Sequence, residues 1–274
     1  MKKTIIPLLF LMLALMACSL TGKSTPAPVP TVEEVVQVAT QPPASTPTTE
    51  PTVPPPDPTE VLPTEAPTEE SSPYFYEEFD GDLSAWTHFV IAGDSKKEYA
   101  KVISDRLKFE LPNAETYAYV ENTNYTFDDV YVETNVETVK GGENGIALFC
   151  RGSDKGFYEF RIHTVGRYAG SIEAYRFDFS LRDRKKVPYV NLLKDRERLN
   201  TMDIKAGYNT NVIGLMCVGN EIRLFINGVE QLPMPGGEPI RDDVLTDGTV
   251  GVAAMSFSQG NVDVEFDNVS TSAP

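Results

Sequence analysis

The chain has 274 residues, 40 of them acidic and 24 basic, for a formal charge of −16 at 41% hydrophobic content. That excess of negative charge excludes a nucleic-acid partner, which requires a basic patch, and electrostatic docking on anionic lipid. About 200 residues follow an N-terminal stretch of biased composition, enough for one all-β domain with its own core.

Lys2 and Lys3 open the chain, and residues 5–17 run without a charge. A membrane-spanning helix needs about 20 apolar residues, so this shorter run reads as the hydrophobic region of a secretory signal. It ends in Leu15-Met16-Ala17-Cys18, which resembles a bacterial lipobox. The resemblance implies a signal peptide over 1–17, cleavage before Cys18 and diacylglycerol on its sulfur. The mature chain would then be exported and lipid-anchored to the bacterial cell membrane, facing the extracellular side or the periplasm. Each buried CH₂ contributes about 0.8 kcal/mol, and two or more acyl chains hold a protein stably on a bilayer. The anchor is the only membrane contact expected. Removing Lys2 and Lys3 takes the charge from −16 to −18.

Residues 24–72 hold 13 of the 21 prolines, ten threonines and eight acidic residues, with no Lys, Arg or aromatic ring. Such a segment cannot bury enough apolar surface to offset its ordering entropy. Proline favours extended polyproline II at about 3.1 Å per residue. Residues 18–72 therefore read as a lipidated N-terminus followed by a disordered spacer.

From residue 73 to 274 the hydrophobic pattern has period two. In "VYVETNV", Val130, Val132 and Val136 share one face, opposite Tyr131, Glu133 and Asn135. In "FYEFRIH", Tyr158, Phe160 and Ile162 oppose Glu159, Arg161 and His163. "EIRLFINGVE" runs into Asn227-Gly228, the pair that suits a type I′ hairpin turn. "VDVEF" alternates Val262, Val264 and Phe266 with Asp263, Glu265 and Asp267. Short strands with closely spaced turns predict a two-sheet antiparallel sandwich or jelly roll. The charged stretch 192–199 reads as a loop, with a short helix as the other reading.

With Cys18 lipidated, Cys150 and Cys217 remain, an even number in an exported domain. Counting by twos, Cys150 lies with Ile146 and Leu148, and Cys217 with Ile213 and Leu215. They would meet if their strands are neighbours. A bridge there stabilises by about 4 kcal/mol in the chain-entropy description. Two buried thiols are the other reading; an oxidising compartment favours the bridge.

Four segments together resemble a known domain type. "YFYEEFDGDLSAWTHF" resembles the opening of concanavalin A/laminin G-like sandwiches, and "LFCRGSDKGFYEFRI" with "GRYAGSIEAYRF" resembles their central hairpins. "NVIGLMCVGNEIRLFINGVE" and "GTVGVAAMSF" with "VDVEFDNVS" are similar to their paired and closing strands. The nearest subfamily is the 3-keto-disaccharide hydrolase-like domain, common in bacterial surface lipoproteins. The resemblance implies a concanavalin A-like jelly roll; it does not imply an activity, because this architecture serves enzymes and binding modules alike.

Candidate chemistry is sparse. The folded part has only His88 and His163, and neither G-x-S-x-G nor H-E-x-x-H occurs. Glycoside hydrolysis needs two carboxylates about 5 to 9 Å apart. The E-x-D-x-x-E of laminarinase-like relatives is missing, and its nearest imitation, Asp263, Glu265 and Asp267, falls on the last strand, expected at a sheet edge. Relatives of the fold that hold a structural calcium imply Glu78, Asp80 and Asp267 as candidate ligands here, with a solvated acidic surface as the other reading. No other cofactor is implied.

Sugar recognition needs an aromatic platform and planar polar groups. Opposite the aliphatic faces stand Phe149 and Arg151, then Glu159, Arg161 and His163, then Glu173 and Tyr175, with Arg167 and Tyr168 in a turn between. These residues form the candidate ligand face; cross-strand ion pairing on a solvated sheet is the other account of them. The leading functional expectation is a non-catalytic carbohydrate-binding sandwich whose partner is a glycan or cell-envelope polymer. The alternatives are a glycoside hydrolase-like enzyme and a protein-interaction or envelope-assembly module.

Overall fold

A computed structural model describes residues 72–234 and 236–274. The signal, Cys18 and the spacer lie outside the described residues. In chain order come β1 (Tyr76–Glu77), β2 (Trp86–Ala92), β3 (Ala100–Val102), β4 (Leu107–Leu111), β5 (Thr116–Phe127) and β6 (Val130–Lys140). Next are β7 (Asn144–Gly152), β8 (Gly156–His163), β9 (Ser171–Asp178), the short helix α1 (Phe179–Asp183), β10 (Tyr189–Asn191) and β11 (Leu199–Asn200). The last third gives β12 (Asn211–Val218), β13 (Glu221–Ile226), β14 (Val229–Gln231), β15 (Ile240–Arg241), β16 (Gly248–Ser256), β17 (Val262–Phe266) and β18 (Val269–Ser272).

The strands form two antiparallel sheets. The front sheet runs β10-β9-β8-β7-β16-β5-β2, with β11 beside β9. The back sheet runs β14-β13-β12-β6-β17-β4-β3, with β15 against β13 and β18 joining β1 to β6. The alternation seen in the sequence decides which side chains meet between them. Ile146, Leu148, Phe160, Ile162, Val252 and Ala254 of the front sheet pack in one core with Val132, Val136, Ile213, Leu215, Val264 and Phe266 of the back sheet. Trp86 belongs to that core, its Nε1 donating to Glu77 Oε2 at 3.1 Å. Asn227 and Gly228 take φ of +50° and +81° in the two-residue loop that pairs Ile226 with Val229, the geometry a type I′ turn requires.

Cys150 and Cys217 form a disulfide. Their strands are not neighbours in one sheet: β7 belongs to the front sheet and β12 to the back sheet, so the bridge ties the two layers together. Two other expectations are corrected. β17 is neither the last strand nor an edge strand: β18 follows it, and it pairs with β4 on one side and β6 on the other. The acidic residues on and just after it are paired with cations: Asp263 and Glu265 each lie 3.5 Å from Lys108 Nζ, and Asp267, past the strand's end, lies 3.4 Å from Arg106 Nε. Nor do Glu78, Asp80 and Asp267 assemble a calcium site. Among the described residues no three His, Cys, Asp or Glu side chains converge as a metal site would need; Glu78 and Asp80 are exposed and Asp267 is engaged by arginine.

Candidate functional site

The outer face of the front sheet departs from what such a face normally carries. An antiparallel sheet with one face on the core usually turns polar residues to water on the other. Here a second apolar cluster, separate from the inter-sheet core, holds Tyr119, Ala147, Phe149, Phe157, Phe177, Ala253 and Met255. Partly buried Phe89, Tyr117, Tyr189 and Phe257 pack against it. The local cause is again period two. In "TYAYV", Tyr117 and Tyr119 oppose Ala118 and Val120, which enter the core.

Small residues make the room that large ones fill. Gly145 and Ala147 of β7 lie opposite Met255 and Ala253 of β16. A Cβ on Gly145 would come within 2.9 Å of Arg161 Cδ and 3.1 Å of Phe257 Cζ. Arg161 therefore lies down over the centre of the sheet, and rings from strands distant in sequence close around it. Its guanidinium carbon sits 5.3 Å from the ring centres of both Tyr175 and Tyr189, 5.7 Å from Tyr117 and 5.9 Å from Phe257. Four π faces around one cation give a favourable, desolvated cage.

Two carboxylates flank this cation. Arg161 Nε donates to Glu159 Oε1 at 2.8 Å, and Nη1 donates to Glu173 Oε2 at 3.1 Å. The Tyr119 hydroxyl donates to the other Glu159 oxygen at 2.7 Å and lies 3.1 Å from the Tyr189 hydroxyl. Glu173 Oε1 accepts from Nε and Nη2 of Arg198 at 3.1 and 2.8 Å. Arg198 in turn stacks 3.7 Å above the Tyr168 ring. The His163 ring lies nearly parallel to Phe257 at 5.5 Å, with Nδ1 3.0 Å from the Asn144 carbonyl and Nε2 3.3 Å from Glu173 Oε2.

The electrostatics follow. Burial alone would raise the Glu173 pKa, but His163, Arg161 and Arg198 outweigh it and hold the carboxyl at about 2. Burial raises the Tyr175 hydroxyl to about 12, with Glu173 adding to the effect, and raises Tyr117 and Tyr119 as well. The hydroxyls thus stay protonated as donors, while Glu173 stays ionised through the neutral range. Glu173 cannot serve as the protonated acid of a glycosidase at neutral pH.

The structure therefore brings Glu159, Arg161, His163, Glu173 and Tyr175 together, but not as an open polar surface. All but Tyr175 are buried, the Arg161 residue being 5% exposed. The aromatic side chains on neighbouring strands cover them, and what reaches solvent is the aromatic rim. Arg167 is exposed beside Tyr168, its guanidinium 5.4 Å from that ring. Phe149 is buried among phenylalanines farther along the same face.

Arg151 does not belong to the face. Its backbone takes φ of +54°, and the pairing of β7 with β16 slips at the same level. That bulge breaks the alternation. The side chain leaves the face, and its guanidinium donates to the carbonyls of Asp128, Gly219 and Leu245 at 2.8–3.2 Å. Reasoning from sequence also missed Tyr117, Tyr119, Tyr189, Phe257 and Arg198. The alternation in "TYAYV" and the Ala253, Met255, Phe257 series carried the signal for three of these rings, Tyr117 and Tyr119 on β5 and Phe257 just past β16; nothing local marked Tyr189 or Arg198.

No protein-family model matches the chain, and no curated protein matches it in sequence. Solved structures do. The Bacillus licheniformis β-glucanase superposes with a TM-score of 0.52 at 11% identity, over 75% of this chain and all of that one. A β-1,3-1,4-glucanase (lichenase) from a mouse hindgut metagenome gives 0.52 at 11%, over 73% and 99%. The carbohydrate-binding module CBM66 from Bacillus subtilis gives 0.46 at 12%, over 69% and 96%. The chain has the concanavalin A-like jelly-roll fold. At these identities the likeness establishes architecture, and function rests on the site itself.

Proposed function

We propose that this chain is a cell-surface protein, tethered by lipid on Cys18, whose jelly roll binds carbohydrate without cleaving it. One observation carries the reading: the partly exposed rings of Tyr117, Tyr175, Tyr189 and Phe257 surround a buried Arg161 on the outer face of the front sheet. Flat rings held rigid by packing offer stacking surface for the apolar face of a pyranose, and tyrosine hydroxyls supply donors at the rim. Fixing the rings in advance lowers the entropy lost on binding. The two nearby carboxylates serve the cation, not a substrate: both glutamates are buried, and each accepts from an arginine. Glucanases share the fold, which keeps a glycoside hydrolase as the second reading; the low Glu173 pKa weighs against it.

Titration calorimetry with a panel of soluble polysaccharides, mixed-linkage β-glucan included, tests this reading. Saturable binding without release of reducing ends is expected, with Tyr175→Ala and Tyr189→Ala each weakening it by about tenfold, the scale of one lost stacking contact. Binding to no polysaccharide, or cleavage lost in Glu159→Gln, would overturn it. The tether is tested by mass spectrometry of the mature N-terminus and by release of Cys18→Ser from the membrane fraction.

A further inference from the structure

The same face of the front sheet ends in a separate cavity of about 240 Å³. Phe89, Phe149, Phe157 and Phe179 line it together with Glu121 and Arg182, and Thr87, Val90, Gly152 and Ser153 complete the lining. Three of the ring pairs meet edge to face, Phe89 lying 6.2 Å from both Phe149 and Phe157 and Phe157 lying 6.3 Å from Phe179, while Phe149 and Phe157 meet tilted at 5.1 Å. This end of the face differs chemically from the Arg161 end. There the rings are mostly tyrosines with hydroxyls to offer; here they are phenylalanines, with none.

Size and shape narrow the guest. An apolar cavity of ~150 Å³ takes up benzene, whereas sites for drug-sized ligands run to ~300–1,000 Å³. The volume thus admits one six-membered ring, and the side open to solvent leaves room for a substituent on it. Ring edges are electropositive and ring faces electronegative, so walls set edge to face favour an aromatic guest over a saturated one. The polar groups narrow it further. Glu121 Oε1 accepts from the Thr249 hydroxyl, and no hydrogen bond among the described residues engages Oε2. A carboxylate oxygen beside an apolar pocket is an acceptor for a hydroxyl on the guest.

We propose that this cavity binds a phenol-type ring, seated against the partly exposed Phe89 and Phe179 over the buried Phe149 and Phe157, with its hydroxyl donating to Glu121. The site stands whether or not the rings around Arg161 take sugar. The intact protein is titrated with phenol, with cyclohexanol as a saturated counterpart of similar size, and with a 4-hydroxyphenyl glucoside, each followed by NMR. Saturable shifts are expected for phenol, with cyclohexanol weaker by about tenfold. Thr87→Trp fills the cavity from an exposed position on edge strand β2 and should weaken phenol binding about tenfold or more. Phe179→Ala, at a partly exposed helix position, is the second variant and should weaken it in the same direction. Tyr175→Ala should leave the phenol titration unchanged while weakening any sugar binding about tenfold, so the two sites fail separately. Tighter binding of the glucoside than of phenol identifies the ring as a substituent on a glycan, and the reverse order a free phenolic. Absence of a saturable response to phenol, equal affinity for cyclohexanol, or indifference to both variants would overturn the assignment.

Discussion

Arg161 and Glu173 face each other across β8 and β9, and the guanidinium and carboxylate are joined at 3.1 Å with both side chains buried. The pair is one edge of a larger cluster in which Glu159 and Arg198 complete an even balance of charge. Taking charges out of water is costly, and a buried pair recovers the cost only while both partners are present. Arg161→Met should therefore destabilise the fold by about 3–5 kcal/mol, because Glu159 is left buried without its cation. Adding Glu159→Gln and Glu173→Gln to that variant should recover most of the loss. Urea unfolding of the single and triple variants checks both statements.

The same cluster makes stability depend on acid. Glu173 titrates at about 2 in the folded protein against 4.5 ordinarily, with desolvation opposed and outweighed by His163, Arg161 and Arg198. Because the folded value is the lower one, its contribution is fully present above about pH 4.5 and disappears as pH falls toward 2. Its size is on the order of 3 kcal/mol. Unfolding midpoints measured from pH 6 down to 2.5 should fall across this window in the wild type, and the part due to this residue should be missing in Glu173→Gln.

The disulfide joins the front and back sheets across a sequence separation of 67 residues. Closing a loop of that length restricts the unfolded chain by about 4 kcal/mol in the entropic description. Reduction, or Cys150→Ala with Cys217→Ala, should lower unfolding free energy by up to that amount while leaving the strand signature in circular dichroism unchanged below the transition. The inter-sheet core has many other contacts, so loss of the bridge should weaken the sandwich without dissolving it.

How far the chain could be read beforehand depends on how local each signal was. Tyr158, Phe160 and Ile162 face the core, and Glu159, Arg161 and His163 face away, as alternation alone requires. Asn227-Gly228 marked its hairpin because positive φ has few residue types to serve it. Burial of Arg161 was not legible, since it depends on Tyr117, Tyr189 and Phe257 arriving from strands that only the topology brings near. The position of β17 failed for the same reason: sheet order is a long-range fact, and a strand near the end of the sequence sits between β4 and β6 in space. Arg151 failed differently. A bulge at an arginine has no sequence signature, and a one-residue break in alternation sends the side chain elsewhere.

That break gives the last prediction. Arg151 is 1% exposed and spends its guanidinium on three backbone carbonyls: Asp128 before β6, Gly219 in the β12–β13 turn and Leu245 before β16. It is therefore a pin between the two sheets' loops at one end of the sandwich. Arg151→Lys keeps the charge but lacks the planar fork that reaches three acceptors at once. Each buried carbonyl left without a donor costs about 1–3 kcal/mol, so the lysine variant should lose a few kcal/mol in urea unfolding. Hydrogen exchange should rise first at Gly219 and Leu245, the backbone that Arg151 holds. Polysaccharide and phenol binding measured well below the unfolding transition should stay at wild-type affinity, because the guanidinium is not on the aromatic face. A selective loss of ligand binding with stability unchanged would return Arg151 to that face and contradict its placement here.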